Sequence, residues 1–351
     1  MKKILFPIVI FYISILCSCS NTDNSAPVKN DHFTKWNACE AITTLKAYVE
    51  DVTDPHSKNY IKEEDRIATF DMDGTFVGEL YPTYFEYNLL EYRVLDDPTY
   101  KDKAPADVKE AAQDIRDFVR NGKKLPDHFD MKHAYAAAKA YAGMTLAEFD
   151  AYVKAYAAKQ ANGFKGMTYR QSFFQPMLQV FDYLKANGFT FYVVSGSDRF
   201  ICRALVESVG ISPNRVIGMD VKLRTSKEGE VTGVNYTMGK EEDIIRTDEL
   251  IIKNLKANKV FQISQEIGKI PVISFGNSSG DCAMHNYCLS SPHRSVTFML
   301  IADDEDRDHA NREKALKLGE QWREAGYHVI SMRDDFKTIY GEGVVKTDFT
   351  F

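Results

Sequence analysis

The sequence has little that would mark a zinc protein or a nucleic-acid-binding protein. Its six cysteines form no Cys-x-x-Cys pair and no metal-ligand cluster, so no structural zinc site is expected. The histidines, including His128, His133 and His285, show no ligand spacing. The formal net charge is -6 without a basic stripe, which argues against nucleic acid as the main partner. No internal repeat or low-complexity segment occurs, and 44% hydrophobic with 27% charged residues is typical of a soluble globular protein.

The N-terminus carries a hydrophobic run that is too short to span a bilayer. Two lysines precede apolar residues 4–16, a pattern typical of a secretion signal. The run ends in Leu16-Cys17-Ser18-Cys19, which resembles the bacterial lipoprotein signal; the resemblance implies removal of residues 1–18 and lipid on Cys19. An ordinary signal peptide with incidental cysteines is the alternative. Residues 19–32 are then a polar tether, and the expected location is periplasmic or on the outer membrane of a bacterium, with the lipid as membrane anchor.

Helical and strand-like segments alternate through the second half of the chain. A helix is expected over residues 33–50, and turn-rich residues around Glu228-Gly229 and Thr232-Gly233 predict a hairpin. Strand-helix repetition of this kind predicts an α/β fold with a Rossmann-like, mostly parallel sheet and helices on both faces. The apolar runs interpreted as strands cover residues 67–70, 189–194, 216–223, 271–275, 296–300 and 328–332.

A long helical block separates the first two of these strands. Between Thr75 and about Tyr169 nearly every pattern is helical, including a capping box at Thr145-Leu-Ala-Glu148. Such a block is too long for a loop, so it is interpreted as an inserted helical cap. The expected boundaries are residues 79–173 for the cap, with residues 33–78 and 174–351 forming the α/β core and its N-terminal helix.

Polar residues follow three of the predicted strands. The first group is Asp71-Met-Asp-Gly-Thr75, the second Ser195-Gly-Ser-Asp198, and the third Gly276-Asn-Ser-Ser-Gly-Asp281. Ligands in open parallel sheets bind at the carboxyl ends of the strands. Two carboxylates at one strand end repel each other, and a cation such as Mg2+, which prefers oxygen ligands, would relieve that repulsion. Each of these polar segments alone is also compatible with a solvated turn or a helix cap. Their occurrence at the ends of three successive predicted strands favours a single site.

The order of these groups resembles the motifs of the haloacid dehalogenase (HAD) superfamily: DxDGT, a Ser after the second strand, a Lys, and an acidic or amide turn after a later strand. The likeness covers nearly all of the chain after the signal. It is closest to exported bacterial HAD phosphatases of the phosphoserine-phosphatase type. The shared strings are Trp36-Asn37, Asp65-Arg-Ile-Ala68, Gly166-Met-Thr-Tyr169, Phe275-Gly-Asn-Ser278 and Asp335-Phe-Lys-Thr338.

The resemblance implies a role for each motif residue. Asp71 would attack phosphorus and form an aspartyl-phosphate, and Asp73 would act as general acid and then as general base. An Asp at position 73 favours a phosphatase or phosphomutase, because dehalogenases lack an acid there. Lys259 is the expected motif lysine, with Lys256 as the alternative. The group that would hold the phosphoryl oxygens is Thr75, Ser195, Gly196 and Lys259.

The expected metal is Mg2+, held by Asp71, by the main-chain carbonyl of Asp73 and by the third turn. The sequence departs from the family here, since Asn277 stands where many relatives have Asp. An amide oxygen can coordinate but brings no charge. Asp281 would supply that charge, directly or through water.

Function and specificity follow from the same resemblance. The predicted activity is Mg2+-dependent hydrolysis of small-molecule phosphomonoesters; the alternative is a HAD-like binding or scaffold lipoprotein with little catalysis. Glu79 is the candidate for a polar substrate contact. The tyrosines and phenylalanines that flank the helical block could line an aromatic pocket, although core packing accounts for most of them.

Overall fold

A computed structural model describes residues 32–351. The expected signal peptide, the expected lipidation site Cys19 and nearly all of the expected tether therefore lie outside the described residues. No helix in the described range is both long enough and apolar enough to cross a lipid bilayer. The strands in chain order are β1 (Ile67–Phe70), β2 (Phe164–Lys165), β3 (Thr190–Asp198), β4 (Val216–Thr225), β5 (Ile244–Ile252), β6 (Ile273–Gly276), β7 (Val296–Ile301), β8 (His328–Ser331) and β9 (Val345–Lys346).

Helices fill most of the chain between the strands. Short 3-10 turns join several of them. The α-helices are α1 (Glu40–Thr53), α2 (Phe85–Glu91), α3 (Ala106–Asn121), α4 (Phe129–Ala140), α5 (Leu146–Ala157), α6 (Gln175–Ala186), α7 (Arg199–Val206), α8 (Ala257–Glu266), α9 (Cys282–Leu289), α10 (Arg312–Glu324) and α11 (Met332–Asp335).

The main sheet has seven strands in the order β5-β4-β3-β1-β6-β7-β8. All neighbouring pairs are parallel except β4 and β5, which run antiparallel. The strand β1 lies in the middle, with Phe70 level with Val193 on one side and Phe275 on the other. The predicted fold class, a mostly parallel α/β sheet of Rossmann-like type, is confirmed.

Both faces of the sheet are buried, because successive residues of the strands belong to different apolar clusters. In β7, Phe298 and Leu300 join the large core with helices α1 and α6, whereas Met299 and Ile301 pack with Trp322 of α10. Strands covered on both faces read as continuous apolar runs, which explains why these segments were recognisable in the sequence.

The segment between β1 and α6 contains the helices α2 to α5 and only the two-residue strand β2. Helix α5 begins with the expected capping box, in which Thr145 and Glu148 exchange hydrogen bonds. The segment packs against the α/β sheet through contacts of α4 with β5 and of α5 with α7. The strand β2 pairs with β9, so residues 345 and 346 lie beside the end of the helical segment.

Two local expectations need correction. The helix expected over residues 33–50 is Glu40–Thr53, because residues before it form a turn in which Trp36 bridges to Phe336. The hairpin expected around residue 230 is larger: β4 and β5 pair from Asp220–Ile252 to Thr225–Ile244, and the turn-rich residues form the connection between them.

Candidate active site

The three polar strings of the sequence meet at one edge of the sheet. The strand pairing places the carboxyl ends of β3, β1 and β6 side by side. The amide of Asp71 donates to the Phe275 carbonyl at 2.9 Å, which fixes the residue after β1 against the end of β6. Parallel pairing thus brings together side chains as far apart in the chain as Asp71 and Asp281.

Two glycines allow the turns at this edge to be tight. Gly74 has φ +74°, and a Cβ atom there would lie 1.9 Å from the Asn277 amide nitrogen. A Cβ at Gly276 would lie 2.6 Å from the Cβ of Asp281. No larger residue fits either position without displacing the first or third turn.

A cavity of about 350 Å³ opens at these strand ends. Its wall is rich in charge and includes two tyrosines from the helical segment. The ionisable side chains that line it are Asp71, Asp73, Glu79, Tyr84, Glu86, Tyr87, Asp130, Lys253, Lys256, Lys259 and Asp281.

The floor of the cavity is a buried cluster of one lysine and two aspartates. The Lys259 ammonium donates to Asp71 Oδ1 at 2.5 Å and to Asp281 Oδ1 at 2.7 Å, and only 1% of the lysine is exposed. Lys259, and not its alternative Lys256, therefore contacts Asp71. The two carboxylates raise the pKa of Lys259 against the opposing effect of burial, so the lysine is charged.

The pKa values of the two aspartates of this cluster are shifted in opposite directions. Burial, followed by the charge of Asp281, raises the pKa of Asp71 to about 6. Burial acts on Asp281 in the same direction, but Lys259 outweighs it and holds the Asp281 pKa below its ordinary value. The second oxygen of Asp281 accepts hydrogen bonds from the amides of Asn277 and Ser278 and from the Ser278 hydroxyl. Asp281 is consequently the ionised partner of Lys259 and braces the third turn.

Asp73 lies on the same wall with a different neighbour. Its Oδ2 accepts a hydrogen bond from the Ser197 hydroxyl at 2.8 Å. Burial, with a further contribution from the Asp71 charge, raises the pKa of Asp73 to about 7. A carboxyl group with this pKa can donate or accept a proton near neutral pH.

Glu79, which follows the first polar turn in the chain, contacts the third polar turn. Its Oε1 accepts a hydrogen bond from the Asn277 side-chain amide at 3.2 Å. Burial and the charges of Asp73 and Asp71 raise the pKa of Glu79 to about 8. The Asn277 amide oxygen is left for another partner, since its nitrogen is the atom that contacts Glu79.

Three of the expected phosphate-binding residues have different positions relative to the cavity. Gly196 lies on its wall. Thr75 and Ser195 are buried behind it: Thr75 Oγ1 lies 3.4 Å from Asp71 Oδ2, and the Ser195 hydroxyl accepts the Ser197 amide at 3.1 Å. The hydroxyl that lines the cavity belongs to Ser197, two residues further on in the same string.

A buried ionic network that begins at the cavity wall, with Glu86 and Lys253, was not expected from the sequence. Glu86 of α2 accepts the Lys253 ammonium at 2.9 Å and the Asp198 amide at 3.2 Å. The Asp198 carboxylate in turn binds Arg246 of β5 through both guanidinium NH2 groups. No spacing rule relates these residues, and the one available signal was their charge within otherwise buried segments.

The donor atoms at this site suit a small, hard cation. Within residues 32–351 no group of three or more His, Cys, Asp or Glu side chains is arranged to hold a metal ion. Mg2+ needs fewer protein side chains than that, because it binds through one or two carboxylates and keeps water molecules and phosphate oxygens as its other ligands. Asp71, the carbonyl of Asp73 and the amide oxygen of Asn277 supply oxygen atoms of that kind, whereas both oxygens of Asp281 are occupied by hydrogen bonds.

The sequence matches no family model and no curated protein. The fold is similar to solved structures at low identity. A protein of unknown function from Anaerococcus prevotii DSM 20548 is 16% identical, with 86% of this chain and 94% of that chain covered and a TM-score of 0.51. A phosphoserine phosphohydrolase-like protein from Francisella tularensis is 15% identical, with 76% and 94% covered and a TM-score of 0.40.

A third solved structure, cytosolic 5'-nucleotidase IIIB bound to cytidine, is 12% identical, with 88% and 90% covered and a TM-score of 0.49. The first similarity supports a shared fold. The other two lie below a TM-score of 0.5 and add no argument. The reaction has to be derived from the residues at the strand ends.

Proposed function

We propose that this protein is a HAD-type phosphatase that hydrolyses small phosphomonoesters, with Mg2+ as cofactor. The observation that carries the proposal is the contact of Asp71 with Lys259 in a charged cavity whose wall also includes Asp73. A nucleophilic carboxylate, a fixed cation beside it and a neighbouring acid are the groups that phosphoryl transfer requires.

The surroundings of the two aspartates support their roles. The Lys259 ammonium contacts Asp71 and opposes the effect of burial on its pKa, whereas the charge of Asp71 adds to the effect of burial on the pKa of Asp73. Asp73 is therefore the carboxyl group that holds the proton more readily. An ionised Asp71 attacks phosphorus and the ester P–O bond breaks. Asp73 gives its proton to the leaving oxygen as that bond breaks.

The second half of the reaction reverses the role of Asp73. A water molecule loses a proton to the Asp73 carboxylate and attacks the phosphorus of the aspartyl-phosphate. The P–O bond to Asp71 breaks, phosphate leaves, and both aspartates return to their starting states. Lys259 stays beside Asp71 in both halves and offsets the charge of the phosphoryl oxygens.

Mg2+ would be held by the Asp71 side chain, the Asp73 main-chain carbonyl and the Asn277 amide oxygen. When bound, it supplies positive charge to the phosphoryl oxygens. Asp281 would contribute its charge through water, while its side chain binds Lys259 and the amides of the third turn.

The remaining parts of the proposal concern the rest of the chain. Residues 79–173 would act as a cap that covers the site and excludes water. The chain would be exported and anchored by lipid on Cys19, with residues 19–32 as the tether. Its substrates would then be phosphate esters outside the cytoplasm.

The test is a panel of phosphomonoesters offered to purified protein with Mg2+ and with EDTA. Asp71→Asn should lower kcat by at least about 10³-fold, because an amide cannot attack phosphorus. Asp248→Asn makes the same chemical change at an exposed position on β5 and is the matched control. An Asp71→Asn variant with near wild-type turnover would refute the nucleophile, and an inactive wild type would favour a binding or scaffold role.

A further inference from the structure

Lys256 has a backbone conformation that side chains rarely adopt. Its φ is 54° and its ψ is -124°, and His128 is the other non-glycine residue of the described range with a positive φ. This region of φ/ψ space favours glycine, so holding a lysine there costs conformational free energy. Strain of this kind persists where surrounding contacts fix the backbone.

Those contacts connect the lysine segment to two of the active-site turns. The Lys256 amide donates to the Gly280 carbonyl at 3.2 Å, in the third turn. Two residues earlier, the Asn254 side chain donates to the Ser195 carbonyl at 2.9 Å, at the end of β3. The backbone position of Lys256 is therefore determined by the same turns that form the catalytic floor.

Lys256 lines the same cavity as Lys259 but is much more accessible to solvent. Lys259 is 1% exposed and contacts Asp71, whereas Lys256 is exposed, so we place Lys256 toward the mouth of the cavity. A phosphoryl group bound to Asp71 would occupy the floor. The part of the substrate that extends toward the mouth, beside Lys256, is the leaving group.

Lys256 also differs from the two other lysines of the cavity because it has no acidic partner in the described residues. Lys259 is paired with Asp71 and Asp281, and Lys253 is paired with Glu86. Within the described residues Lys256 forms no ion pair. Its ammonium is therefore available to a group that enters the cavity.

We propose that Lys256 is a specificity residue that binds an anionic group on the leaving group of the substrate. This inference rests on the proposed phosphatase function and narrows it: the preferred esters carry a second negative charge, a carboxylate or another phosphate, a few bonds from the ester oxygen. Lys259 serves the phosphoryl group at the floor, and Lys256 serves the second anion at the mouth.

The test compares two phosphonates that cannot be hydrolysed, phenylphosphonate and 4-carboxyphenylphosphonate, whose binding is measured by calorimetry with Mg2+ present. The wild type should bind the carboxylated ligand about tenfold more tightly. Lys256→Met should abolish that preference and change the affinity for phenylphosphonate less than twofold. Lys256→Arg, which keeps the charge, should retain most of it.

The variant Lys256→Gly distinguishes the effect of the Lys256 side chain on binding from the effect of its backbone conformation on stability. Glycine adopts the observed conformation freely, so this variant should lose the same preference while its Tm rises by roughly 2 °C or more. An unchanged preference in the Met and Gly variants, or an equal loss of affinity for both phosphonates, would overturn the inference. Failure of the proposed function would look different: no turnover of phenyl phosphate, with the binding preference intact.

Discussion

Glu86 and Lys253 form an ion pair of 2.9 Å across 167 positions of the chain, and both side chains are about 95% buried. Glu86 belongs to α2 in the helical segment, whereas Lys253 follows β5 of the main sheet. The same carboxylate accepts the Asp198 amide at the end of β3. One buried charge thus joins the helical segment to the sheet at the wall of the candidate active-site cavity.

Breaking this pair from one side should destabilise the fold strongly. Glu86→Gln leaves the Lys253 ammonium buried without its counter-charge, which costs about 3–5 kcal/mol of unfolding free energy. Urea denaturation of Glu86→Gln, Lys253→Met and the double variant measures the coupling between the two residues. The double variant should be more stable than the sum of the single losses predicts.

The pair Glu313 and Lys317 is the control, because its side chains are 82% and 69% exposed. The corresponding substitutions there should change stability by less than about 0.5 kcal/mol. Strict additivity at Glu86 and Lys253 would contradict a role of the pair in holding the helical segment.

Asp73 should make the metal-free protein less stable as the pH rises. Its pKa is about 7 in the folded state against 3.8 as the ordinary value, so the folded state holds the proton more tightly. The resulting stabilisation is complete below pH 3.8 and is lost as the pH rises through 7. In EDTA, Asp73→Asn should remove this loss, on the order of a few kcal/mol between pH 4 and pH 7.

Ser197→Ala provides a matched change in the opposite direction. The Ser197 hydroxyl donates to Asp73 and lowers its pKa, so removing it should raise that pKa further and extend the pH-dependent loss to higher pH. Parallel stability profiles for the parent and both variants would show that Asp73 does not titrate in this range.

Asn277→Asp should make the protein more dependent on Mg2+. In EDTA the new carboxylate would replace the amide that donates to Glu79, so two acidic groups would face each other and stability should fall by about 1–3 kcal/mol. With Mg2+, the added charge should lower the half-saturating concentration for activity about tenfold. A Mg2+ titration of activity and a thermal melt with and without EDTA measure both effects.

Asn277→Ala is the comparison, since it removes the amide oxygen without adding charge and should raise the half-saturating Mg2+ concentration. Asp281→Asn should destabilise the protein with and without Mg2+, because it removes the negative charge that is paired with the buried Lys259 ammonium. If all three variants have the parent's Mg2+ requirement, the metal does not bind at the third turn.

Cys19→Ser should move the protein from the membrane fraction to the soluble fraction without changing its activity. The lipid on Cys19 is the proposed anchor, and Cys17, two positions earlier, is the matched control. Cell fractionation with immunodetection should show Cys17→Ser still at the membrane. Retention of the Cys19→Ser protein at the membrane would show that another contact holds it.

The sequence predicted those parts of the fold that are governed by short-range patterns. The strand Ile67–Phe70 has the predicted bounds, since all four residues are buried and three of them are apolar. The strand β5 escaped notice because it pairs antiparallel at the sheet edge and has four exposed residues, among them Asp248 and Glu249. An edge strand with solvent on one side has no continuous apolar run, and only its pairing with β4 defines it.

The residues of the candidate site likewise include some that the sequence predicted and some that it did not. Asp71, Asp73 and Asp281 were identified because they occur in motif strings next to predictable strand ends. Lys259 was identified because residues 258–260 begin a predicted helix, as the resemblance to the HAD superfamily implies. Glu86 and Lys253 could not be identified, because their contact depends on how the helical segment packs against the sheet. The orientation of single side chains within a motif could not be predicted. The string Ser195-Gly-Ser-Asp198 was recognised, but the sequence does not show that Ser197 is the serine that lines the cavity and contacts Asp73.

The central position of β1 in the sheet determines when the active site can assemble. The strand has no local partner, since its two neighbours begin at Thr190 and Ile273, beyond the entire helical segment. Closing such long loops is slow, because their entropy is lost before the strand pairs form. Asp71 and Lys259 consequently meet only when most of the chain is in place. Regain of activity during refolding would then report completion of the whole sheet, and secondary structure should recover first.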